Sequence, residues 1–175
     1  NVQGLQFTQN YTLNGPGSIN LTSAAFASVT GGIDTTINAN ITGAFSLDKQ
    51  NGGRLTLTGT NSMSSVSVTG GTLGVGSNGA IGAGALTLAT GTTLQAAANV
   101  TLGNAVALAA GNETVDTQAF DFVLNGVISG AGAMTKIGGV RRDGLFTREL
   151  SGTTRNFIFE IGREQYRQGG RALVE

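Results

Sequence analysis

A nine-residue phrase occurs almost twice in this chain. Ile41-Thr42-Gly43-Ala44-Phe45-Ser46-Leu47-Asp48-Lys49 returns 87 residues later as Ile128-Ser129-Gly130-Ala131-Gly132-Ala133-Met134-Thr135-Lys136, with the glycine, alanine and lysine in register and Leu47 answered by Met134. Such a return points to an array of similar coils rather than to a pocket built once. Between the two copies run short stretches of alternating apolar and hydroxyl residues, such as Leu55-Thr56-Leu57-Thr58, separated by glycine. Alternation of this kind is a strand signal, and it continues over the first 139 residues.

Composition narrows the fold further. The 175 residues hold 29 glycines and one proline, and only 11% are charged, so the polar surface must come from Thr, Ser, Asn and Gln. Neutral polar side chains on one side of each strand and Val, Ile and Leu on the other suit sheets with one wet face. The glycines punctuate runs of strand length and leave no room for crossover helices. Leu5-Gln6-Phe7-Thr8 and Tyr11-Thr12-Leu13 read as strands before the turn Asn14-Gly15-Pro16-Gly17. Ile19-Asn20-Leu21, Phe26 to Thr30 and Ile33 to Ile41 read as three further runs, the last burying Ile33, Ile37 and Ile41 if Thr35 and Ala39 also point inward. Strands this short and this close form either an antiparallel sandwich or a stack of parallel coils. Scarce hairpin dipeptides and the long-range repeat favour the stack. At about 20 to 25 residues per coil, the repeat is offset by about four coils and the chain holds about seven or eight. The expected fold class is thus all-β, a single parallel β-helix.

Charge excludes several functions. Residues 1 to 139 carry three basic and five acidic groups, and residues 140 to 175 carry seven basic and five acidic ones, so neither part is a polybasic footprint and no nucleic-acid partner is expected. With no cysteine or histidine there is no thiolate or imidazole, hence no Ser-His-Asp triad, thiol nucleophile or zinc site of the usual kind. A hydrolase would need a carboxylate pair. The candidates are Asp116 and Asp121 around Phe120, with Asp34 and Asp48 approaching across stacked coils, and the competing reading makes all four turn residues. Stacked acidic turns could hold calcium, yet no Gly-Gly-x-Gly-x-Asp repeat is present. Gly79-Ala80-Ile81-Gly82-Ala83-Gly84 does not fit a nucleotide loop. No catalytic, cofactor-binding or metal residue is assigned, and no cofactor is expected. Lys49 and Lys136 hold equivalent places in the phrase and read as features of the coil. The five Asn-x-Ser/Thr tripeptides at Asn10, Asn20, Asn40, Asn99 and Asn112 follow from composition. Outward Thr and Ser are expected to form hydroxyl ladders, as in ice- or sugar-binding coils, or simply to keep the outer faces soluble. No apolar run is long enough for a membrane-spanning helix.

The succession Gly4-Leu5-Gln6-Phe7-Thr8, Ile37-Asn38-Ala39-Asn40-Ile41-Thr42-Gly43, Leu47-Asp48-Lys49, Gly53-Arg54-Leu55-Thr56-Leu57-Thr58-Gly59-Thr60-Asn61 and Gly70-Gly71-Thr72-Leu73 resembles bacterial autotransporter passenger domains. It is closest to their passenger-associated transport repeat, also described as the autotransporter-associated β-strand repeat. Gly79 to Leu88, Thr92-Thr93-Leu94-Gln95 and Val127 to Gly132 extend the likeness to about Gly139. The resemblance implies a right-handed parallel β-helix. It also implies a non-catalytic passenger segment of a type V secretion system, exposed at the outer membrane of a Gram-negative bacterium and delivered by the protein's own C-terminal membrane barrel. It leaves open an adhesin or self-associating surface module that meets a host-surface glycan or protein, and a carbohydrate-active β-helix enzyme. The chain starts at Asn1 and reads as a mature fragment of something longer. After Gly139 the pattern falters at Val140-Arg141-Arg142-Asp143, so residues 140 to 175 read as divergent coils, a cap or a non-native tail.

Overall fold

A computed structural model describes residues 2 to 139 and the backbone of one strand beyond them, β18 (Phe157–Phe159). The expectation of divergent coils, a cap or a tail over residues 140 to 175 otherwise lies outside the described residues. Those residues contain strands and turns and no helix, and every strand pairing is parallel. The chain winds as a solenoid of about six turns with three faces.

The first face stacks β1 (Val2–Phe7), β3 (Ser18–Val29), β6 (Ser46–Gln50), β8 (Ser65–Val68), β10 (Ala85–Leu88), β13 (Val106–Leu108) and β16 (Ile128–Gly130). The second stacks β2 (Tyr11–Leu13), β4 (Asp34–Ile37), β7 (Arg54–Leu57), β9 (Thr72–Val75), β11 (Thr93–Ala96), β14 (Asn112–Asp116), β17 (Ala133–Ile137) and β18. The third is shorter. Residues 18–20 of β3 pair with β5 (Asn40–Thr42), and β12 (Val100–Leu102) pairs with β15 (Phe122–Leu124). The runs Ile19 to Leu21 and Phe26 to Thr30, expected as separate, merge into one 12-residue strand that ends at Val29 and crosses from the third face to the first. Conversely, Ile33 to Ile41 is bent at Asn38-Ala39 into β4 and β5, although Thr35, Ile37, Ala39 and Ile41 are all buried as the alternation requires.

The register turns the sequence alternation into columns. Leu55, Leu73, Leu94 and Val115 lie one above another inside the second face, and Leu47, Val66, Leu86 and Val106 inside the first. Nearly all are fully buried. Each such aliphatic side chain contributes about 1.5–3 kcal/mol on leaving water, so a core one side chain wide can hold a long stack together. At corners, where the backbone ladder is interrupted, asparagine amides bridge successive coils. Asn10 Oδ1 accepts from the Asp34 N–H (2.8 Å) and Asn40 Oδ1 from the Thr60 N–H (2.9 Å). Asn99 Oδ1 accepts from the Asp121 N–H (3.0 Å), and buried Asn61 both accepts from the Ile41 N–H (2.7 Å) and donates to the Ala80 carbonyl (2.6 Å). The high asparagine content is therefore structural. An amide supplies a donor and an acceptor where a buried backbone group would otherwise lack a partner.

The repeated phrase is displaced by one face as well as by four coils. Ile41 lies on the third face and Ile128 on the first; Lys49 is the last but one residue of a first-face strand and Lys136 the last but one of a second-face strand. The expected whole-coil offset is thus corrected to a strand-corner-strand unit used at two different corners.

Candidate functional site

Of the four carboxylates considered for catalysis, Asp34, Asp48 and Asp116 are held at separate places in the stack. Asp34 and Asp116 share the second face but lie four strand steps apart, about 19 Å along the axis at the usual strand spacing. A glycosidase pair needs roughly 5–9.5 Å. Asp48 is on the first face, where it accepts from Gln50 Nε2 (2.7 Å) and the Thr69 hydroxyl (2.8 Å). Asp34 is held by Arg54, with Nη2 to Oδ2 at 3.0 Å, in an ion pair exposed enough to add little stability. Asp121 immediately precedes the strand β15, its carbonyl accepting from the Val100 N–H (2.9 Å). Among the described residues no group of three acidic side chains could hold a metal ion.

Asp116 has the most elaborate setting of the four. Gln95 Nε2 (2.9 Å), the Gln118 N–H (2.9 Å) and the Gln118 side-chain amide all donate to its carboxylate. Burial works to raise its proton affinity, but these donors and the nearby Lys136 ammonium outweigh it and hold the carboxyl below its ordinary value. Stability from Asp116 is therefore present above the ordinary aspartate range and lost as pH falls through the folded-state value. Asp116→Asn is expected to cost about 1–2 kcal/mol at neutral pH and to reduce the loss of stability on acidification, as read by urea unfolding at a series of pH values. That is the behaviour of a corner brace, and it requires no substrate.

Two lysines form the unusual chemistry of the core. Lys49 falls in the inward column Leu5, Ala27, Lys49, Val68, Leu88, and is completely buried. Its Nζ donates to the carbonyls of Gln50 (3.1 Å), Asn51 (2.8 Å) and Gly70 (2.7 Å), tying its own corner to that of the next coil. Asn51 takes φ 61° there, a conformation asparagine tolerates better than most residues. Lys136 falls at the top of the Leu55 to Val115 column, its Nζ donating to the Thr117 hydroxyl (3.1 Å) and the Gly138 carbonyl (3.2 Å). Burial lowers the Lys49 pKa to about 8 against the opposing pull of Asp48, and lowers that of Lys136 against the pull of Asp116. The expectation that these lysines are features of the coil matches this placement, but their burial was not anticipated. Its signal was spacing: each lysine lies two residues after a core residue, Leu47 or Met134, so strand alternation turns it inward.

Outside the second face, Thr72, Thr93, Thr114 and Thr135 stand in register on four consecutive strands. Their spacing is that of the strands, about 4.8 Å. The Thr135 hydroxyl donates to Asn112 Oδ1 (3.1 Å), whereas those of Thr72, Thr93 and Thr114 make no hydrogen bond to the described residues. The expected hydroxyl ladder is therefore formed here.

A parallel β-solenoid with lysine-braced corners is the context in which likeness to known proteins is informative. The chain is similar in sequence to an autotransporter adhesin. That relative, the adhesin BmaC autotransporter of Brucella suis biovar 1 (strain 1330), is 42% identical over 154 residues, which cover 81% of this chain. The chain spans 4% of the length of that relative. No family model matches the sequence, and no solved structure does.

Proposed function

We propose that this chain is a non-catalytic run of passenger coils from a surface-exposed autotransporter of a Gram-negative bacterium, with residues 1 to 139 as regular coils and 140 to 175 as its divergent end. The likeness to an autotransporter adhesin over most of the chain, carried by a β-solenoid, supports this reading. In it, a C-terminal membrane barrel of the full-length protein anchors the coils, and the coils act mechanically. Each exposes a strand edge on which the next can form, so folding outside the cell helps draw the chain outward. No ligand chemistry is needed for that role.

The test is excision of residues 47 to 105 from the full-length protein. This brings Val106 into the place of Leu47 and removes three coils without breaking the column. Surface display, measured with an antibody to a distant epitope, is expected to stay within about twofold, because a quasi-one-dimensional stack tolerates loss of whole repeats. A glycan-cleaving activity of the intact protein that disappears in both Asp116→Asn and Asp121→Asn would overturn the non-catalytic reading. The unpaired hydroxyls of Thr72, Thr93 and Thr114 favour adhesion as a second reading. If these coils contact a host glycan or protein, the excised protein reaches the surface normally but adheres less. If they contact another copy, mass rises with concentration.

A further inference from the structure

Glu113 is the one fully buried acidic side chain among the described residues, and nothing above explains it. It lies in β14 at the corner between the first and second faces, in an inward column with Gly71 and Thr92 beneath it and Met134 above. Neither carboxyl oxygen has a hydrogen-bond partner in another residue. The hydroxyl of Thr92 cannot supply one, because it donates to the Ala89 carbonyl at 2.6 Å. Room for the carboxyl comes from the coil above. A Cβ on Gly132 would lie 2.5 Å from Glu113 Oε2, and Gly130 stands where the same column of the first face carries Leu88 and Leu108. A site this dry disfavours a bare negative charge by several kcal/mol.

No described cation compensates it. The first-face strands β13 and β16 and the strand below, β11, carry no charged residue, and β18 carries none. On β17 above, Lys136 directs its ammonium to Thr117 and to the carbonyls of residues 137 to 139 at the other corner. On β14 itself, Asp116 is engaged by Gln95 and Gln118.

We propose that this corner is a pH-sensitive joint of the solenoid: a neutral Glu113 carboxyl lets β16 and β17 seat on β13 and β14, and its ionisation loosens that seat. Burial pushes the carboxyl above the ordinary glutamate value, opposed in part by the residue's own backbone N–H. For an acid raised on folding, the stabilisation is complete below the unfolded value and is lost as pH rises through the folded one. A one-dimensional stack confines the loosening to neighbouring coils.

The deciding measurement is hydrogen exchange on the full 175-residue chain between about pH 5 and 7, below most of the range in which Lys49 titrates, with protection factors corrected for the intrinsic pH dependence. Protection in β14 and β17 is expected to fall about tenfold for each pH unit by which folding raises the Glu113 value. It should stay level in β4 and β7, and in Glu113→Gln it should be independent of pH throughout. Protection that is flat in the wild type, or that falls equally in Glu113→Gln, would overturn the proposal. If Glu113→Gln does not fold, the infrared carbonyl band of a protonated carboxylic acid, followed in the wild type from about pH 5 upward, decides. Its presence, with the pH-dependent loss in β14 and β17, supports the joint, and its absence refutes it.

Discussion

Gly43→Val and Gly130→Val should each remove about 3–5 kcal/mol of stability, enough to unfold at least the surrounding coils. These are the two glycines of the repeated phrase, and the structure gives both the same two constraints. Their φ angles are 103° and 113°, a region that residues with a Cβ rarely adopt. A Cβ at either position would overlap a carbonyl oxygen of the coil below, that of Leu21 for Gly43 and that of Leu108 for Gly130. Backbone strain of about 1–3 kcal/mol and a displaced carbonyl in a packed stack act together. Gly103→Ala is the control. Gly103 has no positive φ and nothing within 4 Å of the added Cβ, so its change should stay within about 0.5 kcal/mol. Urea midpoints of the three variants give the comparison directly. A Gly130→Val protein as stable as Gly103→Ala would mean that the close stacking at this corner is wrong.

That pair of glycines also shows what the sequence discloses and what it hides. Repetition marked Gly43 and Gly130 as equivalent, and local geometry makes them so. It could not reveal that one sits between the third and first faces and the other between the first and second, because a three-sided coil offers similar corners and a nine-residue phrase fits more than one of them. Alternation correctly turned Thr35, Ile37, Ala39 and Ile41 inward but took β4 and β5 for a single run. Nothing in an alternating pattern records a bend that leaves inward residues inward. The opposite error, splitting β3 between Leu21 and Phe26, falls where its pairing with β1 shifts register, so one strand runs through an irregularity that alternation alone reads as a break.

Charged core residues were the least legible. The column that holds Glu113 is built from Gly71, Thr92 and Met134 in the other coils, and no pattern of apolar residues announces a carboxyl among them. The carboxylates that sequence reasoning did weigh, Asp34, Asp48, Asp116 and Asp121, were dispersed by a register that only strand pairing fixes. The side-chain hydrogen bonds of Asp34, Asp48 and Asp116 join adjacent coils.

Lys49→Ala is the second change of large expected effect, about 4–5 kcal/mol, and Lys49→Met divides that cost into its sources. Alanine removes the aliphatic stem between Ala27 and Val68 and also leaves the carbonyls of Gln50, Asn51 and Gly70 without the ammonium that joins two corners. Methionine retains the stem and relieves the burial of a charge, so only the carbonyls lose, and about 1–3 kcal/mol is expected. The same pair of changes at Lys136 should cost less, because the Thr117 hydroxyl already donates to the carbonyls of Ile137 (3.2 Å) and Gly139 (3.0 Å). A pH series separates charge from packing. Folding lowers the Lys49 value from 10.5 to about 8, so between those limits the unfolded chain binds more protons and stability rises with pH. Lys49→Met should lack that rise while keeping most of the wild-type midpoint at pH 7. Equal losses for alanine and methionine would place the whole contribution of Lys49 in its three carbonyl bonds, and the aliphatic column would then be continuous without it.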